Sequence, residues 1–389
     1  MARLHPVRLR LVAPAHAAEV VGPPEGLLEE AARRALAAER PLSFLNATPD
    51  PGDHPEESPE RLRRAAAAYL EDRIDEGAFG PPREGVFVYR IATGDHVQTA
   101  VVADVHVDDY PGLVRPHERT IADREEELAA YLTDVGMTSN PVGITHRPSG
   151  ALRTAVRLVA DGEPELTIEI DRERHVVWEV PGRLLPGISA AFDDLEATYV
   201  LDGHHRMAAA RSHARRVGAP RADPAGRVLV AAAPGDELVV RPFHRWIDAT
   251  WPADGGHWGK GTPPDPRPGE AVAVTSSGWR VLDLGPAPGE LDVMALERVV
   301  LAPMLGVTDT RHDDRFEAVP GTEEAMTVCE RVDVLGGVGL LLHPPGIEDL
   351  FALSDRGDVM PPKSTFFAPK PRSGIFLTDR RHPPRHWGP

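Results

Sequence analysis

The densest group of side chains capable of chemistry lies in the stretch Thr198–Ala210. A short apolar run there is followed by Asp202-Gly203 and then by an alanine-rich segment. This pattern predicts a buried strand, a turn, and a helix that starts at the histidines. The positive end of a helix dipole and the first backbone N–H groups of a helix bind anions. We therefore predict a turn that binds nucleotide phosphates, formed by Asp202, Gly203, His204, His205 and Arg206.

The side chains of this turn suggest individual roles. Arg206 offers a planar guanidinium that suits a phosphate, and Asp202 is a candidate helix cap. The alternative interpretation is a capped helix whose histidines face solvent. His204 and His205 are not predicted to bind one metal ion, because adjacent helical side chains point about 100° apart. A hydrolase that uses one of these histidines with a metal is a further hypothesis.

The predicted helix has one apolar face. Met207, Ala210, Ala214 and Val217 recur at helical spacing, and Gly218 is placed to end the helix. We expect this face to pack inward and so to hold the turn in position.

A second candidate is the segment Pro116-His-Glu118. Glu118 beside His117, at the predicted start of a helix, could act as general base for a hydroxyl nucleophile. The alternative is an ordinary surface helix start, where the helix dipole favours a glutamate. Thr120 is predicted to cap this helix, with Asp123 in the capping-box position.

A third candidate lies in a proline-flanked loop near the end of the sequence. Its cations, hydroxyls and aromatic rings suit a phosphate or a stacked base. The alternative is an extended segment that packs its aromatic rings on the core. The residues are Lys363, Ser364, Thr365, Phe366, Phe367 and Lys370.

Composition excludes several classes of protein. The net charge of −17, from 60 acidic and 43 basic residues, argues against a nucleic-acid partner. No apolar run is long enough to cross a membrane, and no signal peptide is evident. The single cysteine, Cys329, rules out an internal disulfide framework, is predicted to be a buried structural thiol, and fits the cytoplasm. Neither a P-loop nor a dinucleotide-binding glycine motif is present.

Three motifs in order resemble the ParB/sulfiredoxin-like free serine kinases: Pro116–Glu118, Ser139–Ile144, and Val200–Arg206. Over nearly its full length the sequence also resembles domain-of-unknown-function family 1015 (DUF1015). That likeness rests on Arg115–Glu118, on the Asp-Gly-His-His-Arg turn, and on a closing Met-Pro-x-Lys-Ser-Thr pattern at Met360–Thr365.

The resemblance implies that nucleotide phosphates and Mg²⁺ sit on the Asp202–Arg206 turn, and that Glu118, next to His117, accepts the proton of the attacking hydroxyl. The nucleotide site is expected to include Asn140 and the loop residues Lys363, Ser364 and Thr365. The sequence departs from the kinases by an insertion at 145–197, which could reshape the acceptor pocket. Sulfiredoxin chemistry is excluded, because Gly203 stands where that family needs a cysteine.

We expect an α+β fold with a ParB/sulfiredoxin-like core. The predicted division is an N-terminal α/β extension at 1–99, a nucleotide-binding core at 100–245, and a C-terminal α/β extension at 246–389. Strands are predicted at 154–159, 166–170 and 176–180, and hairpins within 85–109 and 228–240.

The function expected from these features is a cytoplasmic, nucleotide-dependent small-molecule kinase. It would use ATP or ADP with Mg²⁺ to phosphorylate a hydroxyl metabolite such as free serine. The alternative is a non-catalytic nucleotide-binding regulatory protein of the ParB-like class. Neither nucleic acid nor a membrane is an expected partner.

Overall fold

The computed structural model describes residues 2–24, 28, 30–49, 52, 54, 56–253, 256–321 and 326–381. Helices and strands are mixed and the strands form several sheets, so the predicted α+β class is confirmed. The chain divides into two compact units. Unit 1 comprises Met1–Arg115, Thr120–Leu238 and Pro369–Pro389, and unit 2 comprises Pro116–Arg119 and Val239–Ala368. The three-part division at 99/100 and 245/246 stays a prediction.

Strands in the described part of the chain are β1 (Val7–Leu11), β2 (Arg83–Gly85), β3 (Phe87–Thr93), β4 (His96–His106), β5 (Val114–Arg115), β6 (Met137–Thr138), β7 (Val142–His146), β8 (Leu166–Ile170), β9 (Glu173–Glu179), β10 (Thr198–Asp202), β11 (Arg227–Pro234), β12 (Val239–Ile247), β13 (Glu270–Thr275), β14 (Gly278–Asp283), β15 (Phe316–Pro320), β16 (Val338–Leu342), β17 (Thr365–Ala368) and β18 (Phe376–Asp379).

Helices in the same residues are α1 (Ala17–Val20), α2 (Glu30–Glu39), α3 (Pro59–Asp75), α4 (Ala122–Asp134), α5 (Gly150–Ala160), α6 (Leu185–Asp193), α7 (His204–Arg216), α8 (Asp292–Leu296), a π-helical turn (Glu297–Leu301), α9 (Ala302–Leu305), α10 (Met326–Leu335) and α11 (Ile347–Asp355). None of them is both long and apolar enough to cross a membrane.

Unit 1 is built on an eight-stranded sheet in the order β5-β10-β7-β11-β4-β3-β9-β8. Both faces are covered, as the central strand β4 shows: Ala100 and Val102 belong to one apolar cluster, while Val101, Ala103 and Val105 belong to the other. Successive side chains of a strand point to opposite faces, so an unbroken apolar strand is buried on both sides. A four-stranded sheet, in the order β2-β1-β18-β6, completes the unit.

Unit 2 is built on an antiparallel sheet in the order β14-β13-β16-β12-β15, and β17 also pairs with β12. Helix α10 buries Val328 and Val332 against it, beside Val272 and Leu341. Cys329 packs at the margin of this cluster and is half-buried, less than predicted; burial raises the pKa of its thiol, so it is not an activated nucleophile.

Several predicted elements are confirmed. Strands β3 and β4 form the predicted hairpin. Strands β8 and β9 lie within the 145–197 insertion, where strands were expected, and they extend the eight-stranded sheet. The strand–turn–helix at 198–216 is also present, with Gly218 in a left-handed conformation after the helix.

Three predictions were wrong. Residues 154–159 lie in helix α5, because Ser149 caps it through the Leu152 N–H and its apolar side chains have helical spacing. The 228–240 hairpin does not form, because β11 already has β4 and β7 on its two edges. Thr120 does not cap α4, whose N-cap residue is Ile121 without a side-chain hydrogen bond.

Candidate functional site

The predicted phosphate turn joins β10 to α7 in unit 1. Val200 in β10 and Met207 in α7 are buried in the same apolar cluster, which fixes both elements relative to the sheet. The helix hydrogen bonds begin with Met207 N–H to the Gly203 carbonyl at 2.9 Å. Val217, predicted to lie on the buried face, is 46% exposed because it follows the last helical residue.

Glycine at 203 is required by backbone and by space. Gly203 is the N-cap residue, with a φ of 88° in the left-handed region. A Cβ at this position would lie 2.8 Å from Nε of Arg206. A side chain here would therefore strain the backbone and displace the guanidinium.

Arg206 is oriented by contacts within unit 1. Its Nη1 donates to the carbonyls of Asn140 and Pro141, each at 2.9 Å, and its Nη2 donates to Asp202. Asn140 thus contacts Arg206 through its backbone carbonyl, two residues before β7 begins. Asp202 does not cap α7, contrary to the sequence-based expectation, because its carboxylate is held by cations instead.

The second cation on Asp202 is Lys370. Its Nζ lies 2.6 Å from Oδ1 of Asp202, and the lysine side chain is 14% exposed. Burial opposes ionisation of Asp202, but the charges of Lys370 and Arg206 and the hydrogen bond from Lys370 outweigh it, so the pKa of Asp202 lies well below its usual range. We call Asp202, Gly203, Arg206 and Lys370 the phosphate-turn cluster.

His204 is buried and His205 is half-buried with its ring bonded to protein, so the alternative in which both histidines face solvent is wrong. His204 is 4% exposed. Nε2 of His205 accepts a hydrogen bond from the Ile121 N–H at 2.9 Å, so this nitrogen carries no proton and its lone pair is engaged. The cations that contact the Asp202 carboxylate at this turn are Arg206 and Lys370.

The donor set does not fit a protein-bound Mg²⁺ at this turn. Mg²⁺ in nucleotide sites takes one or two carboxylates besides phosphates and water. Asp202 is the carboxylate of the turn, and its two oxygens contact Lys370 and Arg206. Within the described residues, no three histidine, cysteine, aspartate or glutamate side chains are grouped as metal ligands.

The Pro116–Glu118 candidates lie in unit 2. The Met360 N–H donates to the His117 carbonyl at 2.8 Å, and Glu118 forms an isolated parallel bridge with Met360. The ring of His117 is buried, with Nε2 3.4 Å from Oγ1 of Thr365 and the ring centroid 5.7 Å from that of Phe367. This segment and the closing motif of the sequence therefore form one local structure.

The closing motif is held in an unusual conformation. Lys363 has a φ of 58°, which is uncommon outside glycine, and its ammonium lies 5.8 Å above the ring of Phe243. Ser364 donates to the Pro361 carbonyl at 2.6 Å, and both Ser364 and Thr365 are buried. The two predicted binding hydroxyls thus serve contacts inside unit 2.

Sequence reasoning missed Arg245, which is only 2% exposed. Its Nη1 donates to the carbonyls of Phe243, His244 and Lys363, at 3.2, 3.3 and 2.8 Å. Burial lowers the pKa of Arg245 to about 10, against the opposing charges of Glu297 and Glu118. The signal was its place between aromatic residues in the run Phe243-His-Arg-Trp246, where a buried arginine needs acceptors. We call Arg245, Glu118, Glu297 and Lys363 the Arg245 cluster.

The structure thus divides the predicted site residues between the two units. A profile of the family described as "Protein of unknown function (DUF1015)" matches residues 4–254. The chain belongs to DUF1015. The family predicted from the motifs is therefore confirmed. No curated protein matches the chain.

Solved structures resembling this DUF1015 chain include three of note. A variant of free serine kinase in complex with ADP has 14% identity and a TM-score of 0.40, covering 74% of this chain and 94% of the other. Free serine kinase in complex with AMP has 13% identity and a TM-score of 0.37, covering 72% and 91%. SbnI with a C-terminal truncation, from Staphylococcus aureus, has 14% identity and a TM-score of 0.40, covering 70% and 85%.

Proposed function

We propose that this chain is a small-molecule kinase. It would bind the phosphates of a nucleotide at the β10–α7 turn and transfer the terminal phosphoryl group to an acceptor. The acceptor would be a hydroxyl metabolite such as free serine, and the donor would be ATP or ADP. The core of the fold would be of the ParB/sulfiredoxin-like type. The observation that carries the proposal is the phosphate-turn cluster. Gly203 in the left-handed region opens a thirteen-residue helix at the same point where Arg206 and Lys370 converge.

The charge of the cluster favours an anion. Two cations and one ionised carboxylate leave a net charge of +1, to which the N-terminus of α7 adds the positive end of its dipole. Arginine and lysine are the side chains that proteins use for phosphate, the first as a fork and the second as a point charge. The chain as a whole has a net charge of −17, so a turn that is positive only locally would select a small anion.

The proposed reaction assigns one chemical role to Glu118. The acceptor oxygen attacks the terminal phosphorus of the nucleotide, the bond from that phosphorus to the bridging oxygen breaks, and the hydroxyl proton passes to the Glu118 carboxylate. The products are the phosphorylated metabolite and a nucleotide shortened by one phosphate. His117, which is buried and precedes Glu118 in the sequence, would position the base rather than react.

A thermal-shift screen against ATP, ADP, CTP and GTP tests binding. We expect at least one nucleotide to raise the melting temperature of the wild type, and Arg206→Ala to remove that rise. Arg216→Ala is the matched control, since Arg216 lies on the same helix and pairs with Glu126 at the surface. No rise with any of the four nucleotides would refute the proposal.

A product assay then separates the kinase from the alternative. Glu118→Gln should abolish phosphorylated product while leaving nucleotide binding intact. The alternative, a non-catalytic nucleotide-binding regulatory protein, is favoured by one observation: the charge of Glu118 acts on the buried Arg245, so Glu118 already has an electrostatic role in unit 2. Nucleotide binding without product from the wild type, over a panel of hydroxyl metabolites, would favour the regulator.

A further inference from the structure

The Lys370 ammonium contacts the Asp202 carboxylate, at the position that a divalent cation would take if Asp202 were a metal ligand. In the phosphate-turn cluster, Asp202 contacts Lys370 through Oδ1 and Arg206 through Oδ2. Both oxygens of this carboxylate lie against cations, whose positive charges would repel a Mg²⁺ ion at the same carboxylate. Both cations are also well shielded, with side chains 14% and 18% exposed.

Lys370 is itself fixed by the chain that follows it. The next basic residue, Arg372, is 6% exposed and is clamped by two carboxylates of the β8–β9 turn. Its Nη1 lies 2.8 Å from Asp171, and its Nε lies 2.6 Å from Glu173. Prolines at 369 and 371 restrict the backbone on either side of the lysine. The ammonium is therefore held at the turn by covalent neighbours as well as by Asp202.

We infer that Lys370 takes the place of a divalent metal in this site, so that the chain binds a nucleotide without Mg²⁺. The inference rests on the proposed function and specifies its ligand: a nucleotide whose phosphates are neutralised by Lys370 and Arg206. Asp202 then serves as the counter-charge that orients the two cations before the ligand arrives. It does not contact the phosphates, whose negative charge it would repel.

The test is the affinity of the full-length protein for ADP, measured by isothermal titration calorimetry with Mg²⁺ and again with EDTA at equal ionic strength. We expect the two dissociation constants to agree within about threefold, which is less than one charge-assisted contact contributes. Binding in Mg²⁺ that is lost in EDTA would overturn the inference and leave the proposed function standing. Absence of ADP binding in both conditions would overturn the inference, whereas the proposed function falls only if none of ATP, ADP, CTP and GTP binds.

Two variants sharpen the result. Lys370→Met should weaken ADP binding in EDTA by about tenfold or more, and Mg²⁺ should partly restore it, because Asp202 then has an oxygen to offer. Lys260→Met, which removes a surface lysine bonded to the Ser277 carbonyl, should leave the affinity unchanged.

Asp202→Asn separates the two roles of the carboxylate. The amide keeps an acceptor for Lys370 but loses the negative charge, so ADP binding should be as tight as in the wild type or tighter. A metal ligand would behave in the opposite way. A large loss of affinity in Asp202→Asn, with an unchanged circular-dichroism spectrum and a melting transition that stays above the assay temperature, would contradict the inference.

Discussion

The Nζ atom of Lys370 lies 2.6 Å from Oδ1 of Asp202, although 168 positions separate the two residues along the chain. This ion pair joins the segment after β17 to the β10–α7 turn within unit 1. It places a second cation on a carboxylate that already contacts Arg206. The positive charge of the turn is therefore a product of tertiary structure and not of the five-residue motif alone.

The first prediction concerns acid stability. Because the folded-state pKa of Asp202 is below its unfolded value of about 4, the carboxylate stabilises the fold above that pH. The stabilisation is lost as the pH falls towards the folded-state pKa. We expect the free energy of unfolding, measured by urea denaturation, to fall less steeply between about pH 5 and pH 3 in Asp202→Asn than in the wild type. Equal slopes would show that the ion pairs do not favour the folded state.

The second prediction compares two glycines at opposite ends of α7. Gly203 and Gly218 both have left-handed backbones, but only at Gly203 would a Cβ meet the Arg206 guanidinium, at 2.8 Å. Gly218→Ala should cost about 1 kcal/mol of unfolding free energy, from the backbone alone. Gly203→Ala should cost more than Gly218→Ala and should also weaken nucleotide binding. Equal costs, with unaltered binding, would count against the close approach of Arg206.

Much of this turn was predictable from local sequence. An apolar run before Asp-Gly and a periodic alanine-rich stretch after it specify the strand, the turn and the helix, because these signals depend on neighbouring residues. The histidine environment was not predictable, because the Ile121 N–H that His205 accepts comes from 84 residues away. Lys370 was predicted as a candidate for phosphate, but its pairing with Asp202 was hidden, because 168 positions separate the two residues.

The errors also have physical causes. At residues 154–159, helix and strand patterns compete over a short apolar run, and the Ser149 cap decides for the helix. At residues 228–240, a turn signal between two strand-like runs predicts a hairpin. The pairing instead follows the sheet, in which β11 lies between β4 and β7. Sheet order depends on long-range partners that a single sequence does not display.

The third prediction addresses the buried arginine of unit 2. Arg245→Met should reduce the free energy of unfolding by about 3 kcal/mol or more, because three carbonyls lose a donor and the charges of Glu118 and Glu297 lose their cation. Arg241→Met is the matched control: Arg241 lies on the same strand, is exposed, and bonds only weakly to the Gly321 carbonyl at 3.4 Å. Its cost should stay within about 0.5 kcal/mol. Similar costs for the two variants would mean that the Arg245 cluster contributes little.

The fourth prediction concerns His244, which accepts a hydrogen bond from the Leu342 N–H at 3.2 Å through Nδ1. Burial, together with the charge of Arg245, lowers the pKa of His244 to about 4. The neutral ring therefore stabilises the fold above the unfolded pKa of about 6.5, and this stabilisation is lost as the pH falls from there to about 4.

We expect the wild type to lose roughly 3 kcal/mol from this residue between pH 7.5 and pH 4, measured by urea denaturation with tryptophan fluorescence. His244→Gln should show a smaller dependence on pH in that range. His312→Gln, which alters an exposed histidine, should retain the wild-type dependence. Identical profiles for wild type and His244→Gln would show that His244 does not titrate in this way.

Binding of nucleotide phosphates at the β10–α7 turn would be visible in a crystal structure of the full-length protein with ADP. We expect phosphate oxygens within about 3.2 Å of the Lys370 ammonium and of backbone nitrogens in the first turn of α7. Clear density for ADP bound elsewhere, with the Lys370–Asp202–Arg206 contacts undisturbed and no ligand at Gly203, would contradict it.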